Sequence, residues 1–223
     1  MDARHVREMI GEGEGFEIEF KRRVSAPEKI ARTLIAFANT RGGHILFGVD
    51  DDGSIVGVES EKSEADLILE AGSVYCEPEI TPELDIVAFN GKDVIVATVP
   101  ASDQKPHAFL GTGDEQESGN GGLRVYIRVN DKTVLASKEV VRILRSERPD
   151  TPPMRIAIGE NERRLFRYLD EHERITARQF ADLVNISDRR ATRTLVALVR
   201  AGVLRIHTLE RTDFFTMAFD LPA

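Results

Sequence analysis

Residues 38–58 read ANTRGGHILFGVDDDGSIVGV, and this stretch decides the fold of the first half of the chain. The apolar runs HILFGV and SIVGV predict two strands, and the DDDG between them has the composition of a hairpin turn. Asn39 with Gly42 and Gly43 predicts the end of a preceding helix, because glycine tolerates positive φ there. The stretch therefore predicts a helix followed by a hairpin, with three carboxylates at the hairpin tip.

The sequence on either side of this stretch predicts more strands than helices. In FEIEFK, the residues Phe16, Ile18 and Phe20 alternate with polar residues, which is typical of a half-buried strand. ELDIVAFNGKDVIVATV and LRVYIRVNDKTVLA each predict a strand pair, whereas APEKIARTLIAFAN, SEADLILEAGSVY and SKEVVRILR have helical spacing. Because hairpins join most of the strands, we predict an α+β fold, a mainly antiparallel sheet with packed helices.

A proline-rich segment divides the chain. Three prolines within RSERPDTPPMRIAIGENE exclude a continuous helix, so we predict domains at residues 1–146 and 159–223 joined by a linker at 147–158. The chain of 223 residues has a net charge of -8, but residues 151–223 contain 12 arginines against 10 acidic residues. Nucleic-acid binding would therefore depend on local basic patches rather than on the overall charge.

The second domain has a different pattern from the first. It contains three amphipathic helical segments, the last two with Thr176 and Ser187 as N-caps, followed by the alternating segment VLRIHTLERTDFFTMAF. Three helices followed by two strands resemble a winged helix-turn-helix domain. That resemblance implies DNA binding.

The composition also bears on the compartment. The single cysteine, Cys76, cannot form an internal disulfide, and no segment approaches the roughly 18 consecutive apolar residues of a membrane span. The N-terminus lacks the apolar core of a signal peptide. We therefore predict a cytoplasmic protein without membrane association, and we interpret Cys76 as a buried apolar residue rather than a nucleophile.

Three motifs of the first domain occur in a characteristic order: GEGEGFEIEFKRR, AFANTRGGHILFGVDDDGSIVGV, and KPHAF followed by VYIRVNDKTVLAS. Together they resemble the Schlafen/AlbA-type DNA-binding domain, historically also described as a divergent ATP-binding module, over roughly residues 8–146. The resemblance implies DNA or RNA as the partner. Asn130 departs from the family pattern, which has glycine there in an RxG motif. No P-loop is present, so phosphate-binding chemistry gives the ATP label no support.

The same resemblance implies a three-carboxylate site. In the Schlafen relatives that cleave RNA, the chemistry is assigned to carboxylates that match Glu14, Glu19 and Asp51 here. Such a cluster would bind Mg²⁺ or Mn²⁺ and activate water, which makes these three residues candidate catalytic and metal-binding residues. The alternative is that residues 50–52 serve only the turn, where aspartate is preferred for local backbone reasons.

Eight basic residues are candidate nucleic-acid contacts. Half of them lie beside strands of the first domain, and the others lie in the third helix or the wing of the second. They are Lys21, Arg22, Lys105, Arg128, Arg189, Arg190, Arg193 and Arg205. A recognition helix contacts base edges with its N-terminal residues, where the arginines of the third helix are found. The alternative is that these arginines pair with acidic residues of the first domain.

These observations favour a DNA-binding transcriptional regulator. Winged-helix regulators usually read paired half-sites, so we expect a homodimer. A second hypothesis is a metal-dependent endoribonuclease that uses the three carboxylates. A third is a protein-interaction module in which the wing contacts another protein.

Overall fold

The computed structural model describes residues 1–111, 124–147, 156–209 and 212–218, and it divides into two compact units, Met1–Ala136 and Ser137–Ala223. Most of the predicted linker, residues 148–155, lies outside the described residues. So does nearly all of the acidic segment GTGDEQESGNGG at residues 111–122. None of the described helices has the length and apolar character needed to cross a bilayer.

The N-terminal unit has eleven described elements around a four-stranded sheet. In chain order they are α1 Ala3–Glu12, β1 Ile18–Lys21, α2 Pro27–Asn39, β2 Gly42–Phe47, α3 Glu61–Val74, β3 Cys76–Glu77, β4 Glu83–Phe89, β5 Lys92–Pro100, β6 Ala108–Phe109, β7 Tyr126–Val129 and β8 Lys132–Leu135. The sheet order is β1-β2-β5-β4, and only the β1–β2 pair is parallel. Two antiparallel pairs, β3–β6 and β7–β8, complete the unit. The prediction of a mainly antiparallel α+β fold is confirmed.

The four-stranded sheet is apolar on both faces. Ile45 and Phe47 of β2 belong to a core that includes Leu34 and Phe37 of α2, whereas Leu46 belongs to a second core with α1. Successive side chains of a strand point to opposite faces, so β2 contributes to both cores. Helix α1 was not predicted from the sequence, although Asp2 caps its N-terminus by accepting a hydrogen bond from the His5 N–H.

The hairpin predicted within residues 38–58 is wrong in its second strand. After β2, residues 54–58 form no strand, and a single bridge joins Val49 to Ile55. The physical reason is that β2 already pairs with β1 on one side and β5 on the other, which leaves no free edge. The turn itself forms, with the Asp50 N–H donating to the Ser54 carbonyl at 3.0 Å.

The β4–β5 hairpin has the turn that its sequence predicts. Asn90 and Gly91 have φ values of 49° and 82°, as a two-residue hairpin turn of this type requires. The seven paired positions of β4 and β5 make this the longest register in the sheet. Strand β5 lies in the middle of the sheet beside β2, and all its central residues from 94 to 97 are buried.

The described part of the C-terminal unit consists of four helices and a two-stranded antiparallel pair. Its elements are α4 Lys138–Ser146, α5 Glu160–His172, α6 Ala177–Val184, α7 Asp188–Arg200, β9 Leu204–Thr208 and β10 Asp213–Met217. Its core includes Leu165, Phe180, Leu195 and Phe215. The predicted helix order and N-caps are confirmed, since Thr176 accepts from the Gln179 N–H and Ser187 from the Arg190 N–H.

Helix α4 belongs to the C-terminal unit in the structure, whereas the sequence pattern predicts it at the end of the first domain. It contacts α7, and the Thr192 hydroxyl donates to Glu139 Oε1 at 2.9 Å. At its N-terminus the Ser137 hydroxyl contacts the Asp213 carboxylate of β10. Residues 137 and 213 are far apart in sequence, so local pattern alone gives no signal for this packing.

Candidate functional site

The predicted contact residue Arg128 lies inside the N-terminal unit. Its side chain has no exposed surface, and Nη1 donates to Glu19 Oε2 at 2.7 Å while Nη2 donates to the Gly15 carbonyl at 2.6 Å. The guanidinium carbon lies 4.9 Å from the centroid of the Phe37 ring. A buried cation needs such a partner, because removing it from water is otherwise unfavourable. Arg128 is therefore a structural cation here, and its burial conflicts with the predicted contact to nucleic acid.

The two predicted glutamates both act on strand β1. Glu14 Oε1 accepts a hydrogen bond at 2.9 Å from the N–H of Phe20, a residue of an edge strand. Glu19 uses one carboxylate oxygen for Arg128 and contacts Lys21 Nζ with the other. Both glutamates thus stabilise the start of the sheet, with interactions that span 109 residues in the case of Glu19 and Arg128.

The three aspartates at residues 50–52 have separate roles in the turn. Asp50 Oδ2 accepts from Arg22 Nη1 at 2.8 Å, and its Oδ1 accepts from the Asp51 N–H at 3.2 Å. Asp52 Oδ1 accepts from the Ser54 N–H at 2.8 Å. Hydrogen bonds from the side chain and backbone of Ser54 lower the pKa of Asp52. The Asp51 carboxylate is exposed and has no hydrogen bond or ion pair with a described residue.

The three predicted metal ligands are not brought together. Among the described residues, no group of three or more His, Cys, Asp or Glu side chains is arranged to bind a metal ion. Because both oxygens of Glu19 already contact cations, the residues as placed do not fit Mg²⁺ or Mn²⁺. The catalytic role of Glu14, Glu19 and Asp51 stays a prediction, and no catalytic step follows from this arrangement.

Replacing Asp51 with asparagine should change the free energy of unfolding by less than about 0.5 kcal/mol, because asparagine also suits turns and the carboxylate has no described partner. Urea denaturation measures this value. Asp50→Asn is the matched control, since it weakens the ion pair with Arg22 and should cost up to about 1 kcal/mol. If Mg²⁺ stabilised the wild type and Asp51→Asn abolished that effect, Asp51 would be a metal ligand after all.

The other basic candidates of the N-terminal unit have local partners. Lys21 contacts Glu19, and Arg22 pairs with Asp50. Lys105 Nζ donates to the Thr40 carbonyl at 3.1 Å.

The thiol of Cys76 is buried, which raises its pKa to about 12, so it stays protonated at neutral pH. This supports the interpretation of Cys76 as a buried apolar residue.

Helix α7 has a basic face. Ala191, Leu195 and Leu198 are buried on one side, while Arg189, Arg190 and Arg193 are exposed on the other. Arg200 was not singled out from the sequence; it follows Arg193 by seven residues, so these two and Arg189 share a face. None of these four side chains forms an ion pair with a described residue. The charges of Arg189, Arg190 and Arg193 are therefore directed to solvent, and Arg200 is half-buried.

The acidic residue next to this face has its own partner. Asp188 Oδ2 lies 3.8 Å from Arg178 Nη1 of α6, and Arg178 Nε lies 3.6 Å from Asp182 Oδ2. Arg178 thus offsets part of the negative charge at the start of α7. Arg178 therefore reduces the repulsion that Asp188 would exert on a phosphate.

The outer face of the β9–β10 pair contains the last predicted basic residue. Arg205 is exposed and lies opposite Thr216, while His207 is paired with Phe214 and stacks on its ring at a centroid distance of 4.8 Å. Residues two apart in a strand project from the same face of a sheet. Arg205 and His207 are therefore on the same side of this two-stranded segment.

Comparison with known proteins bears on the N-terminal unit. The model of the Schlafen AlbA_2 family matches residues 14–137, more than half of the 223 residues. The chain belongs to the Schlafen AlbA_2 family. Membership supports a nucleic-acid-related function. The match ends where the N-terminal unit ends, so the winged-helix assignment of the C-terminal unit stays a prediction.

Two solved structures are also similar. The N-terminal domain of a RecG-related protein from Nitrosomonas europaea is 22% identical with a TM-score of 0.43, and the match covers 70% of this chain and 95% of that one. The DIP2311 protein from Corynebacterium diphtheriae is 14% identical with a TM-score of 0.49, covering 86% of this chain. This chain spans 36% of the DIP2311 protein. At these scores neither structure adds to the assignment. A search of curated proteins found no match.

The departure of the Schlafen AlbA_2 domain from the family pattern has a simple structural account. Asn130 stands where the RxG motif has glycine, and it adopts a φ of 56° in the turn between β7 and β8. Asparagine is one of the few residues that enter this left-handed region readily. The turn therefore forms, and Arg128 of the same motif reaches Glu19 in the interior.

Proposed function

We propose that this chain is a DNA-binding transcriptional regulator, whose C-terminal unit is a winged helix that reads duplex DNA with α7. The observation that carries the proposal is the solvent-facing row of arginines on that helix. Duplex DNA is a dense polyanion, so exposed guanidinium groups without ion-pair partners favour its binding. A protein with a net charge of -8 needs such a local concentration of positive charge.

The geometry around α7 supports this function. Helices α6 and α7 are joined by three residues, and the first, Asn185, ends α6 with a φ of 54°. Such a short turn is typical of a helix-turn-helix, in which the second helix enters the major groove and its N-terminal residues contact base edges. Arg189, Arg190 and Arg193 lie in the first two turns of α7. Arginine is the side chain most often used for guanine, through paired hydrogen bonds to O6 and N7.

The β9–β10 pair fits the position of the wing in this proposal. Its outward residue Arg205 adds hydrogen-bond donors that suit phosphate contacts, whereas His207 Nε2 already contacts the Thr216 hydroxyl at 3.0 Å. The segment is fixed to the helices, since Ile175 and Phe215 exchange backbone hydrogen bonds at 2.9 and 2.8 Å. A wing anchored in this way would keep a fixed orientation relative to α7.

We further propose an oligomeric state and a separate nucleic-acid contact for each unit. A winged helix that reads paired half-sites acts as a homodimer in the cytoplasm, with operator symmetry that matches the protein two-fold axis. The Schlafen AlbA_2 domain then supplies a second, separate contact with nucleic acid. The boundary between the two units falls after Ala136, so residues 147–158 belong to the C-terminal unit.

The test is to replace Arg189 and Arg193 separately by glutamine. Each substitution should weaken duplex binding by about 1–3 kcal/mol if the side chain contacts a base, because a bidentate contact to guanine contributes that much. A phosphate contact would instead lower the salt slope by about one and weaken all sequences equally. Binding is measured by fluorescence anisotropy on a random-sequence duplex and on duplexes selected from that pool.

The control is Arg4→Gln, which removes an exposed arginine that pairs with Glu8 on α1. It changes the net charge by the same amount and should leave affinity and salt slope unchanged. Circular dichroism checks that every variant keeps its helix content. If both α7 variants bound like Arg4→Gln at all salt concentrations, α7 would not be the DNA-reading helix.

A further inference from the structure

A cluster of cationic and aromatic side chains in the N-terminal unit lies apart from the carboxylates discussed above. The guanidinium carbons of Arg32 and Arg124 lie 5.4 and 4.6 Å from the centroid of the Phe109 ring. They are therefore at most 10.0 Å from each other, the sum of these two distances. Arg32 also lies 5.7 Å from the ring centroid of Tyr126. We call Arg32, Phe109, Arg124 and Tyr126 the two-arginine cluster.

Neither arginine of the two-arginine cluster has an anionic partner within the described part of the chain. Three of its polar atoms are buried without any hydrogen bond: Arg32 Nε, Arg124 Nη1 and the Tyr126 hydroxyl. Tyr126 is only 6% exposed, so water does not satisfy its hydroxyl from the surface. Unpaired buried donors are rare in folded proteins, because each loses its hydrogen bonds to water without replacement.

Arg128 shows how the same unit treats a cation that serves only the fold. It is buried, and its Nε has no hydrogen bond with a described residue, but Glu19 and the Gly15 carbonyl accept from its Nη1 and Nη2. Arg32 and Arg124 have the favourable contact with an aromatic face, but no described residue accepts a hydrogen bond from Arg32 Nε or Arg124 Nη1. Two like charges near one ring also repel each other. An anion bound there would accept hydrogen bonds from both guanidinium groups and reduce the repulsion between their charges.

The aromatic part of the two-arginine cluster is firmly held. Tyr75 stacks on Phe109 at 6.0 Å, and its hydroxyl donates to Glu28 Oε1 at 3.1 Å. A Cβ on Gly111 would lie 2.3 Å from the Phe109 ring, so the chain passes closely over that ring. Tyr126 meets the ring edge-on at 6.3 Å. Phe109 thus has a fixed position between the two guanidinium groups.

We propose that the two-arginine cluster binds the phosphoryl group of a phosphate ester. Guanidinium groups donate paired hydrogen bonds to phosphate oxygens with matching planar geometry. Both arginines are half-buried, so each guanidinium group is partly accessible from solvent, and the unpaired Tyr126 hydroxyl lies in the same cluster. The residues belong to the N-terminal unit, so this site goes beyond the proposed reading of DNA by α7.

Phosphate esters come from two sources, a free nucleotide-like ligand or the backbone of a nucleic acid. Inorganic phosphate is the first probe, because it contains the shared group and nothing else. Isothermal titration of the full-length chain with phosphate, against chloride at equal ionic strength, measures its binding. The variants are Arg32→Gln and Arg124→Gln, which remove charge while keeping hydrogen-bond donors, and Tyr126→Phe, which removes only the hydroxyl.

The wild type should bind phosphate, and each glutamine variant should bind about tenfold more weakly, because it loses a charge-assisted hydrogen bond. Tyr126→Phe should show a smaller loss, and it is expected to fold because the hydroxyl it removes has no partner. Arg4→Gln should bind like the wild type. Absence of phosphate-specific binding by the wild type, or equal binding by Tyr126→Phe and both glutamine variants, would overturn the proposal.

Single-stranded oligonucleotides then identify the source. If phosphate competes with an oligonucleotide and Arg32→Gln weakens both, the site contacts a nucleic-acid backbone. If the oligonucleotide is unaffected while a nucleoside monophosphate competes, the ligand is free. The α7 variants should keep phosphate binding and bind duplex DNA more weakly, whereas the Arg32 and Arg124 variants should bind phosphate more weakly and keep the α7 contacts with duplex DNA. Failure of one proposal is therefore distinguishable from failure of the other.

Discussion

Replacing Glu19 with alanine is expected to destabilise the N-terminal unit by about 3–5 kcal/mol, because it leaves a buried arginine without its counter-charge. The side chains of Arg128 and Glu19 have exposed fractions of 0% and 13%, and Nη1 and Oε2 are 2.7 Å apart. The remaining guanidinium would keep the Gly15 carbonyl as acceptor, which does not neutralise its charge. Hydrogen exchange of the β1 and β7 amides measures this loss within the unit itself.

The matched control for Glu19 is the exposed ion pair of Arg22 and Asp50. Its side chains are 67% and 34% exposed, and such pairs contribute about 1 kcal/mol or less. Asp50→Ala should therefore leave the exchange of β1 and β7 nearly unchanged. Equal effects of Glu19→Ala and Asp50→Ala would mean that the charge of Arg128 is compensated elsewhere. A substitution of Glu19 made to test catalysis must therefore be accompanied by a measurement of folding.

Replacing Gly42 with alanine is expected to cost about 2–5 kcal/mol, the sum of backbone strain and steric conflict. Gly42 has a φ of 83°, and a Cβ there would lie 2.6 Å from the Val99 carbonyl oxygen and 2.9 Å from the Ala101 N. Both contacts are backbone atoms of β5 or the residue after it, which cannot rotate away. The change would separate β2 from β5 at the centre of the sheet.

Gly91 separates the two contributions to this cost. It has a φ of 82°, almost the same as Gly42, but no atom lies within 4 Å of a Cβ at that position. Gly91→Ala should therefore show only the strain, about 1–2 kcal/mol. The difference in free energy of unfolding between the two variants, measured by urea denaturation, gives the cost of the close approach. If the variants were equally stable, the approach of β2 and β5 would not constrain residue 42.

The parts of the fold that follow local pattern could be predicted. The Asn90-Gly91 turn, the helix caps at Thr176 and Ser187, and the alternation around Ile18 are each written in a few neighbouring residues. The second strand after residue 53 was wrong, because the competition for the edges of β2 depends on β5, which follows some forty residues later. Helix α4 was placed in the first domain for the same reason, since its partner α7 is distant in sequence.

Some residues of the candidate sites could likewise be identified from local sequence pattern, whereas others depend on long-range packing. The exposed arginines of α7 could be identified from helical spacing, although Arg200 at the far end of that face was overlooked. The burial of Arg128 could not be predicted, because its ion-pair partner Glu19 is 109 residues away in the sequence. The two-arginine cluster combines α2, β6 and β7, and no motif in the sequence joins these three elements. Long-range packing decides which charges reach solvent.

The family match ends at residue 137, and the first compact unit ends at Ala136. The boundary of the family domain therefore coincides with the boundary between the packed units. Because α4 contacts α7, a gene exchange at this point would carry α4 along with the helix it covers. None of the three apolar cores described above would be cut, since each lies within one unit. The same first module could thus be inherited in front of different C-terminal units without a cost to its own folding.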